Sequence, residues 1–271
     1  VWIQLGADID GEAAYDYSGY SVSMNAAGDK VAIGAFGNDG NGNYAGHVRI
    51  YDWNGTAWTQ IGQDIDGEAA GDRSGWSVSM NAAGDRVAIG ARSNDVRIYD
   101  WNGTDWTQLG ADIDGEAVGD GSGCSVSINA AGDKVAIGAY GNGGNGIDAG
   151  HVRIYDWNGT AWTQIGQDID GEAAGDQSGW SVSMNAAGDR VAIGADRNDG
   201  NGIDAGHVRI YDWNGTAWTQ IGQDIDGEAA YDYSGYSVSI NAAGDKVAIG
   251  TSNNDGNGNY AGHVRIYDWN G

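Results

Sequence analysis

Polar and apolar residues alternate in short runs throughout the chain. Residues 77–80 (Ser-Val-Ser-Met) alternate with a period of two, and residues 87–91 (Val-Ala-Ile-Gly-Ala) alternate branched with small side chains, as β-strands do. The Asn-Ala-Ala-Gly-Asp segment between them supplies a glycine suited to positive φ and two side chains that bond nearby backbone, which predicts a tight hairpin. We name these two predicted strands A and B.

A second hairpin follows in each repeat. Residues 47–53 (His-Val-Arg-Ile-Tyr-Asp-Trp) alternate again and lead through Asn54-Gly55, a strong hairpin signal, into residues 58–62 (Trp-Thr-Gln-Ile-Gly), and we name these predicted strands C and D. Four strands in up-and-down order, repeated at spacings of 48 to 56 residues, are typical of a propeller blade. The absence of proline agrees, because every strand residue keeps its N–H donor.

The repeat occurs five times. A tryptophan that opens strand D marks each copy: Trp2, Trp58, Trp106, Trp162 and Trp218. The second copy is eight residues shorter than the others, and the sequence places this deletion between Asp95 and Val96. The chain begins with a strand D that lacks its partner and ends within a C-to-D hairpin, so its two ends complement each other.

These features predict the fold. We expect an all-β protein, a five-bladed β-propeller of four-stranded antiparallel blades, closed by pairing of the N-terminal strand with the C-terminal blade, because closure removes exposed strand edges. An excerpt from a longer array of repeats is the alternative. We expect a single domain over residues 1–271, with blades at about residues 19–62, 75–110, 123–166, 179–222, and 235–271 plus 1–6.

Composition restricts the partners. The formal net charge of −25 argues against nucleic acid and anionic membranes, which both need clustered Lys and Arg. No apolar run approaches the roughly 20 residues of a membrane span, so we expect no membrane insertion. Cys124 is the only cysteine, so no disulfide framework exists. We expect a monomer whose ligand is a protein or a glycan.

The predicted ring has two unlike faces. The A-to-B and C-to-D turns are short, whereas the D-to-A and B-to-C connections are long and emerge together on the opposite face. The positions that vary most between repeats lie beside the long connections, where recognition commonly resides; drift at exposed positions is the competing explanation. From these positions we predict a ligand-binding set: Tyr17, Arg73, Tyr140, Gln177 and Tyr233.

The D-to-A connection carries a recurring acidic pattern, Asp-x-Asp-Gly-Glu-x-x-x-Asp. Alternating carboxylates of this kind are the hard oxygen ligands that Ca²⁺ needs, which makes calcium the candidate cofactor, although Asp beside Gly also serves ordinary turns. The candidate ligands are Asp64, Asp66, Glu68 and Asp72. Equivalent sets are Asp8, Asp10, Glu12 and Asp16, then Asp112, Asp114, Glu116 and Asp120, with two further copies that begin at Asp168 and Asp224.

Nothing in the sequence indicates an enzyme. The four histidines, His47, His151, His207 and His263, stand at one equivalent position in four repeats, which favours packing or hydrogen bonding within each blade over a shared metal or general base. No Ser-His-Asp set, phosphate-binding loop or cysteine cluster is present. A hydrolase with paired loop carboxylates is the enzymatic alternative.

The repeat resembles the FG-GAP family, the blade of the integrin α-subunit head and of many bacterial surface proteins. Residues 74–79 (Ser-Gly-Trp-Ser-Val-Ser) take the place of the Phe-Gly segment, residues 87–91 that of the Gly-Ala-Pro segment, and residues 45–51 match strand C. The resemblance implies an extracellular or cell-surface β-propeller for adhesion or ligand binding, often with calcium. Integrin-type propellers have seven blades and calcium loops in the A-to-B hairpin, where this chain has only a short turn.

Two functional hypotheses follow. The first is a non-enzymatic binding, adhesion or structural scaffold with an acidic loop face, built from near-identical repeats that indicate recent amplification or deliberate engineering. The second is a lectin with repeated carbohydrate pockets between blades, in which the aromatic residues that open strand A stack on sugars. Packing between blades is the competing role of these aromatics: Tyr20, Trp76, Trp180 and Tyr236.

Overall fold

The computed structural model, which describes residues 1–271, consists of five antiparallel sheets that follow one another along the chain. Its regular structure is entirely β. It contains no helix with the length and apolarity needed to cross a membrane. The all-β repeat architecture predicted from the sequence is therefore confirmed.

The strands are as follows. Sheet 1 contains β1 (Ser21–Met24), β2 (Lys30–Ala35), β3 (His47–Trp53), β4 (Trp58–Gln60) and β5 (Ile65–Asp66). Sheet 2 contains β6 (Ser77–Met80), β7 (Arg86–Ala91), β8 (Asp95–Trp101), β9 (Trp106–Gln108) and β10 (Ile113–Asp114). Sheet 3 contains β11 (Ser122–Ile128), β12 (Lys134–Ala139), β13 (His151–Trp157), β14 (Trp162–Gln164) and β15 (Ile169–Asp170). Sheet 4 contains β16 (Ser181–Met184), β17 (Arg190–Ala195), β18 (His207–Trp213), β19 (Trp218–Gln220) and β20 (Ile225–Asp226). Sheet 5 contains β21 (Ser234–Ile240), β22 (Lys246–Thr251) and β23 (His263–Asp268).

Strand D is longer than the sequence predicts. In sheets 1 to 4 it consists of two segments that both pair with strand C; in sheet 1 these are β4 and β5, on either side of Gly62. Gly62 has a φ of 73°, a left-handed conformation that breaks the strand and that glycine adopts without strain. The predicted blade boundary at residue 62 is therefore early, and Ile65–Asp66 belongs to the sheet rather than to the connection.

Consecutive sheets pack face to face through one repeated interface. In the contact between sheets 3 and 4, Ile154 from strand C and Val191 from strand B are both at most 1% exposed and lie in one apolar cluster. The backbone contributes as well, because the N–H of Met184 donates to Ser127 Oγ at 2.9 Å. Four such apolar clusters join the five sheets in sequence.

The outer faces of the first and last sheets have no such partner. Ile266 in β23 is 73% exposed, whereas its equivalent Ile154 is 1% exposed. Met24 in β1 is 53% exposed, whereas its equivalent Met184 is 7% exposed. These two faces correspond to the two halves of the interface that the other sheets form with each other.

The N-terminal segment does not pair with the C-terminal sheet. Residues 1–6 form no strand, and β23 pairs with β22 alone, so sheet 5 has three strands where four were predicted. The segment nevertheless lies against sheet 1, because Trp58 Nε1 donates to the Leu5 carbonyl at 3.0 Å. In the next repeat Trp106 Nε1 donates in the same way to Ile61, so residues 1–6 occupy the place of a preceding strand D.

In the short second repeat, the deletion lies at a different position from the one that the sequence predicted. Asp95 pairs with Ala91, as His47 pairs with Ala35. Asp95 therefore occupies the histidine position, and the eight missing residues precede it rather than follow it. The sequence alone suggested the other alignment because Asn94-Asp95 matches Asn38-Asp39, the pair at the start of the long loop in the first repeat.

Candidate binding site at the long loops

In the first, third and fourth repeats the two long connections pack against each other. Backbone N–H groups of the D-to-A connection donate to carbonyls of the B-to-C connection, Arg73 to Tyr44 at 3.0 Å and Ser74 to Ala45 at 2.9 Å. Asn41 Nδ2 adds a hydrogen bond to the Gly67 carbonyl at 2.7 Å. The loops therefore form a hydrogen-bonded layer, which can hold side chains in fixed positions.

The last aspartate of the acidic pattern is a structural residue. Asp72 Oδ2 accepts a hydrogen bond from the Ala69 N–H at 2.7 Å. Its equivalent Asp16 is 4% exposed and accepts from the Ala13 N–H at 2.9 Å and from Asn38 Nδ2 at 3.2 Å. These carboxylates satisfy loop donors in every repeat.

The other three residues of the predicted calcium set point to different neighbours. Asp64 lies with His47 and Glu12 in one cluster of metal-binding side chains. The backbone carbonyl of Asp66 accepts hydrogen bonds from the Arg97 guanidinium at 3.2 Å. Glu68 lines a separate cavity of about 400 Å³. No cluster contains all four residues of one loop, and calcium binding by this loop stays a prediction.

Three of the four histidines are buried, whereas the side chain of His263 is 25% exposed. His47, His151 and His207 are each 1% exposed, so packing within each sheet is as predicted. Neither ring nitrogen of His151 or His207 has a hydrogen-bond partner, so the hydrogen bonding offered as an alternative is absent there. Burial lowers the pKa of all three histidines, which favours the neutral imidazole.

Four residues of the predicted ligand-binding set each adopt the same strained turn, one in each of four repeats. Tyr17, Arg73, Gln177 and Tyr233 have φ between 54° and 56°, a left-handed conformation that costs a non-glycine residue on the order of 1 kcal/mol. Each carbonyl accepts the N–H of the aromatic residue three positions later, as Gln177 does from Trp180 at 3.1 Å. The four residues therefore fix the entry into strand A.

The aromatic residues that follow these turns meet in one place. The first strands of neighbouring sheets contact one another, and the residues at their starts line a common cavity of about 400 Å³. The lining residues are Tyr20, Trp76, Arg92, Cys124, Tyr140, Trp180 and Tyr236. Each of the five sheets contributes at least one of them, so this central cavity is shared by all repeats.

Contacts between aromatic side chains fix the positions of the residues that line the central cavity. Tyr20 lies 4.8 Å from Trp76, and Trp180 lies 5.8 Å from Tyr236, measured between ring centroids. Tyr140, which belongs to the predicted ligand-binding set, meets Trp180 edge-on at 5.1 Å. The Arg92 guanidinium lies 4.8 Å from the Trp76 ring centroid, a cation–π distance. The cavity combines aromatic faces with one cation.

Burial affects the titratable groups of the cavity. It raises the pKa of Tyr20 and raises the pKa of the Cys124 thiol to about 11. Both groups are therefore protonated at neutral pH, and Cys124 is a poor nucleophile.

The sequence contained part of this site. The aromatic residue that opens strand A was visible at equivalent positions in four repeats, but separate packing sites or separate pockets between blades were expected. The structure instead brings these residues to a single cavity. The usable signal was their shared position at the start of strand A, because the first strands of neighbouring sheets contact one another.

Comparisons with known proteins add no relative. No protein-family model matches the chain, and no curated protein is significantly similar to it.

Proposed function

We propose that the protein is a non-enzymatic binding scaffold, a five-bladed propeller that holds its ligand in the central cavity. The observation that carries the proposal is the convergence of residues from all five sheets on that cavity. Its volume of about 400 Å³ lies within the usual range of small-ligand sites, which are mainly aromatic and apolar with a few polar groups.

Closure of the ring is part of the proposal. Support comes from the two uncovered faces, on β1 and β23, which are the missing halves of an interface formed four times elsewhere. Residues 1–6 already pack on sheet 1 in the manner of a preceding strand D, so their free edge is available to β23. Pairing there would bury Ile266 and Met24 and remove an exposed strand edge.

The chemistry of the cavity favours an anionic ligand with a flat face. Arg92 supplies a positive charge within a protein of net charge −25, and the aromatic rings offer stacking surfaces. Acidic sugars and aromatic carboxylic acids both have these properties. A lectin is the second candidate function, supported by the same rings, with one central pocket in place of the separate pockets between blades.

The family resemblance supports adhesion outside the cell as the setting of this binding. Order and spacing of the strand motifs in five copies are its basis, and the acidic loop face is the surface that a protein or glycan partner would meet.

Arg92→Ala tests the ligand proposal. We expect the protein to bind a member of a panel of acidic sugars and aromatic carboxylic acids, with a change in tryptophan fluorescence from Trp76 or Trp180. Removal of the cation should weaken that binding at least about tenfold, in keeping with a charge-assisted hydrogen bond of about 1.5–3 kcal/mol. Arg92 is exposed, so folding should be retained, as a circular dichroism spectrum will verify.

Arg197→Ala is the matched control, because Arg197 is also exposed and lies outside the cavity. We expect it to bind as the wild type does. If no compound of the panel binds at millimolar concentration, the proposed site is wrong. If both variants lose affinity equally, the loss reflects the overall charge of the protein rather than a contact with Arg92.

A further inference from the structure

Three clusters outside the central cavity repeat the same set of side chains. Each contains a histidine from strand C, an aspartate from the link between the two following strand D segments, and a glutamate from the preceding D-to-A connection. The clusters are Glu12, His47 and Asp64; Glu116, His151 and Asp168; and Glu172, His207 and Asp224. Each cluster therefore joins two consecutive acidic loops through one buried imidazole.

The distances are nearly the same in all three clusters. In the second, His151 Nδ1 lies 4.0 Å from Glu116 Oε2 and 3.7 Å from Asp168 Oδ2. The corresponding distances are 3.9 and 3.8 Å around His47, and 3.8 and 3.9 Å around His207. These separations are too long for direct hydrogen bonds.

The same separations are a few tenths of an ångström longer than those around a shared cation. Tetrahedral zinc lies about 2.0–2.2 Å from imidazole nitrogen and carboxylate oxygen, which places two of its ligand atoms about 3.4 Å apart. The three ligand atoms of each cluster lie within 4.8 Å of one another. A small rotation of the glutamate, whose side chain is 46–49% exposed, is enough to bring all three to one ion.

The imidazoles lack any other partner. Nδ1 of His151 and of His207 is buried without a hydrogen bond, although each ring is 1% exposed. A buried polar atom without a partner is costly, and here that atom faces two carboxylates. An ion between them would supply the missing partner and neutralise the paired negative charges.

The second oxygens of the three aspartates and of two of the glutamates are already engaged. Gln164 Nε2 donates to Asp168 Oδ1 at 2.6 Å, which leaves Oδ2 toward His151. Gln60 and Gln220 do the same for Asp64 and Asp224. Arg49 and Arg209 lie 3.7 Å from the outer oxygens of Glu12 and Glu172. In the second cluster Asn142 Nδ2 instead donates to Glu116 Oε2 at 3.3 Å. Such outer contacts orient the ligands of metal sites.

We propose that these three clusters bind divalent transition-metal ions, with Zn²⁺ as the representative, one ion per cluster. Imidazole with carboxylates is a donor set that suits zinc and its neighbours better than Ca²⁺ or Mg²⁺, which prefer oxygen alone. Three protein ligands leave a position for solvent. The bound ions would tie consecutive repeats together, a role independent of the central cavity.

The second repeat provides an internal contrast. Asp95 replaces the histidine and lies 3.6 Å from the Arg97 guanidinium. Glu68 and Asp112 still line the adjoining cavity, so this position keeps the carboxylates but has no imidazole. The proposal predicts that it does not bind zinc with comparable affinity.

Calorimetric titration of the full chain with ZnCl₂, after removal of metals with EDTA, tests the proposal. We expect three equivalents of tight binding. A fourth is expected if the ring also closes, since Asp8 would then join His263 and Glu228, which lie 3.7 Å apart. Asp168→Asn should remove one equivalent or weaken it at least about tenfold, because it withdraws a ligand charge without changing side-chain volume.

Asp112→Asn is the matched control at the equivalent position of the second repeat, and it should leave the number of sites unchanged. His151→Gln is a second variant that should also remove one equivalent. Absence of saturable Zn²⁺ binding, or equal losses in Asp168→Asn and Asp112→Asn, would overturn the proposal. The zinc proposal is independent of the central cavity and of ring closure. A negative result in the ligand panel or in the ring-closure test would therefore leave the expected binding of zinc at the three clusters unchanged.

Discussion

Asp196→Asn is expected to make the protein markedly less sensitive to pH. Asp196 is 4% exposed, and its Oδ1 is buried without a hydrogen-bond partner. Burial raises the pKa of this carboxyl from 3.8 to about 7. The folded protein therefore holds the proton at pH values where the unfolded chain has released it.

The direction of the effect follows from proton linkage. Between about pH 4 and pH 7 the folded state binds more protons than the unfolded state, so the unfolding free energy falls as the pH rises. The loss attributable to Asp196 is about 4 kcal/mol across this range and persists at higher pH. The asparagine side chain of the variant does not ionise, so the variant should not show this loss of unfolding free energy.

Urea unfolding at pH 5 and pH 8 measures this difference. The wild type should lose clearly more unfolding free energy between the two pH values than Asp196→Asn does. Asp148→Asn, at an exposed aspartate, should behave as the wild type. Equal pH dependence in the wild type and in Asp196→Asn would show that this carboxyl is ionised normally in the folded protein.

Gly138→Ala is expected to destabilise the junction of sheets 3 and 4 severely. A Cβ at this position would overlap the Gly179 carbonyl oxygen, which belongs to the backbone of the next sheet. Gly138 is held by strand pairing with Val152, and the Gly179 N–H donates to the Gly194 carbonyl at 3.0 Å, so the sheets must separate. Overpacking usually costs about 1–3 kcal/mol, and we expect at least the upper end of that range here.

Chemical unfolding of Gly138→Ala should therefore show a loss of at least about 3 kcal/mol, or failure to fold. Gly143→Ala is the control, since an added Cβ at Gly143 meets no atom closer than 3.9 Å. Its unfolding free energy should change by less than about 0.5 kcal/mol. A tolerated Gly138→Ala would mean that the sheets lie farther apart than in this structure.

Much of each sheet could be predicted from the sequence. Strands A and C begin and end at the predicted residues in the first two hairpins, Ser77–Met80 and His47–Trp53. The period-two pattern and the Asn-Gly turn determine them locally. The second segment of strand D, Ile65–Asp66, was missed because it has two residues and depends on pairing with β3 rather than on its own pattern.

The sites were less predictable, because they depend on contacts between repeats. The ligands around His47 come from residues 35 positions earlier and 17 positions later, in two separate loops. Periodicity within one repeat cannot show that Glu12 and Asp64 converge. The central cavity likewise depends on how five sheets are placed about one another, which no local sequence pattern specifies.

The alignment of Asp95 illustrates the same limit. The sequence match of Asn-Asp in the first two repeats placed the deletion after Asp95, but backbone pairing places Asp95 opposite Ala91. Strand register is set by the full sheet, and it overrides a two-residue similarity.

Ring closure is the claim on which the architecture most depends, and a disulfide test measures it directly. The register of Asp52 opposite Thr59 in sheet 1 places Ile3 opposite Asp268 in a closed ring. Cα atoms of opposed antiparallel residues lie about 4.5–5.5 Å apart, within the range that a disulfide spans. The variant carries Ile3→Cys and Asp268→Cys in a Cys124→Ser background.

After mild oxidation, we predict a monomer with one internal disulfide and no free thiol, whereas a control pair at Ile3 and the distant Thr160 should stay reduced. Free thiols in a folded monomer, or disulfide-linked multimers in place of the internal bond, would contradict the closed five-bladed ring.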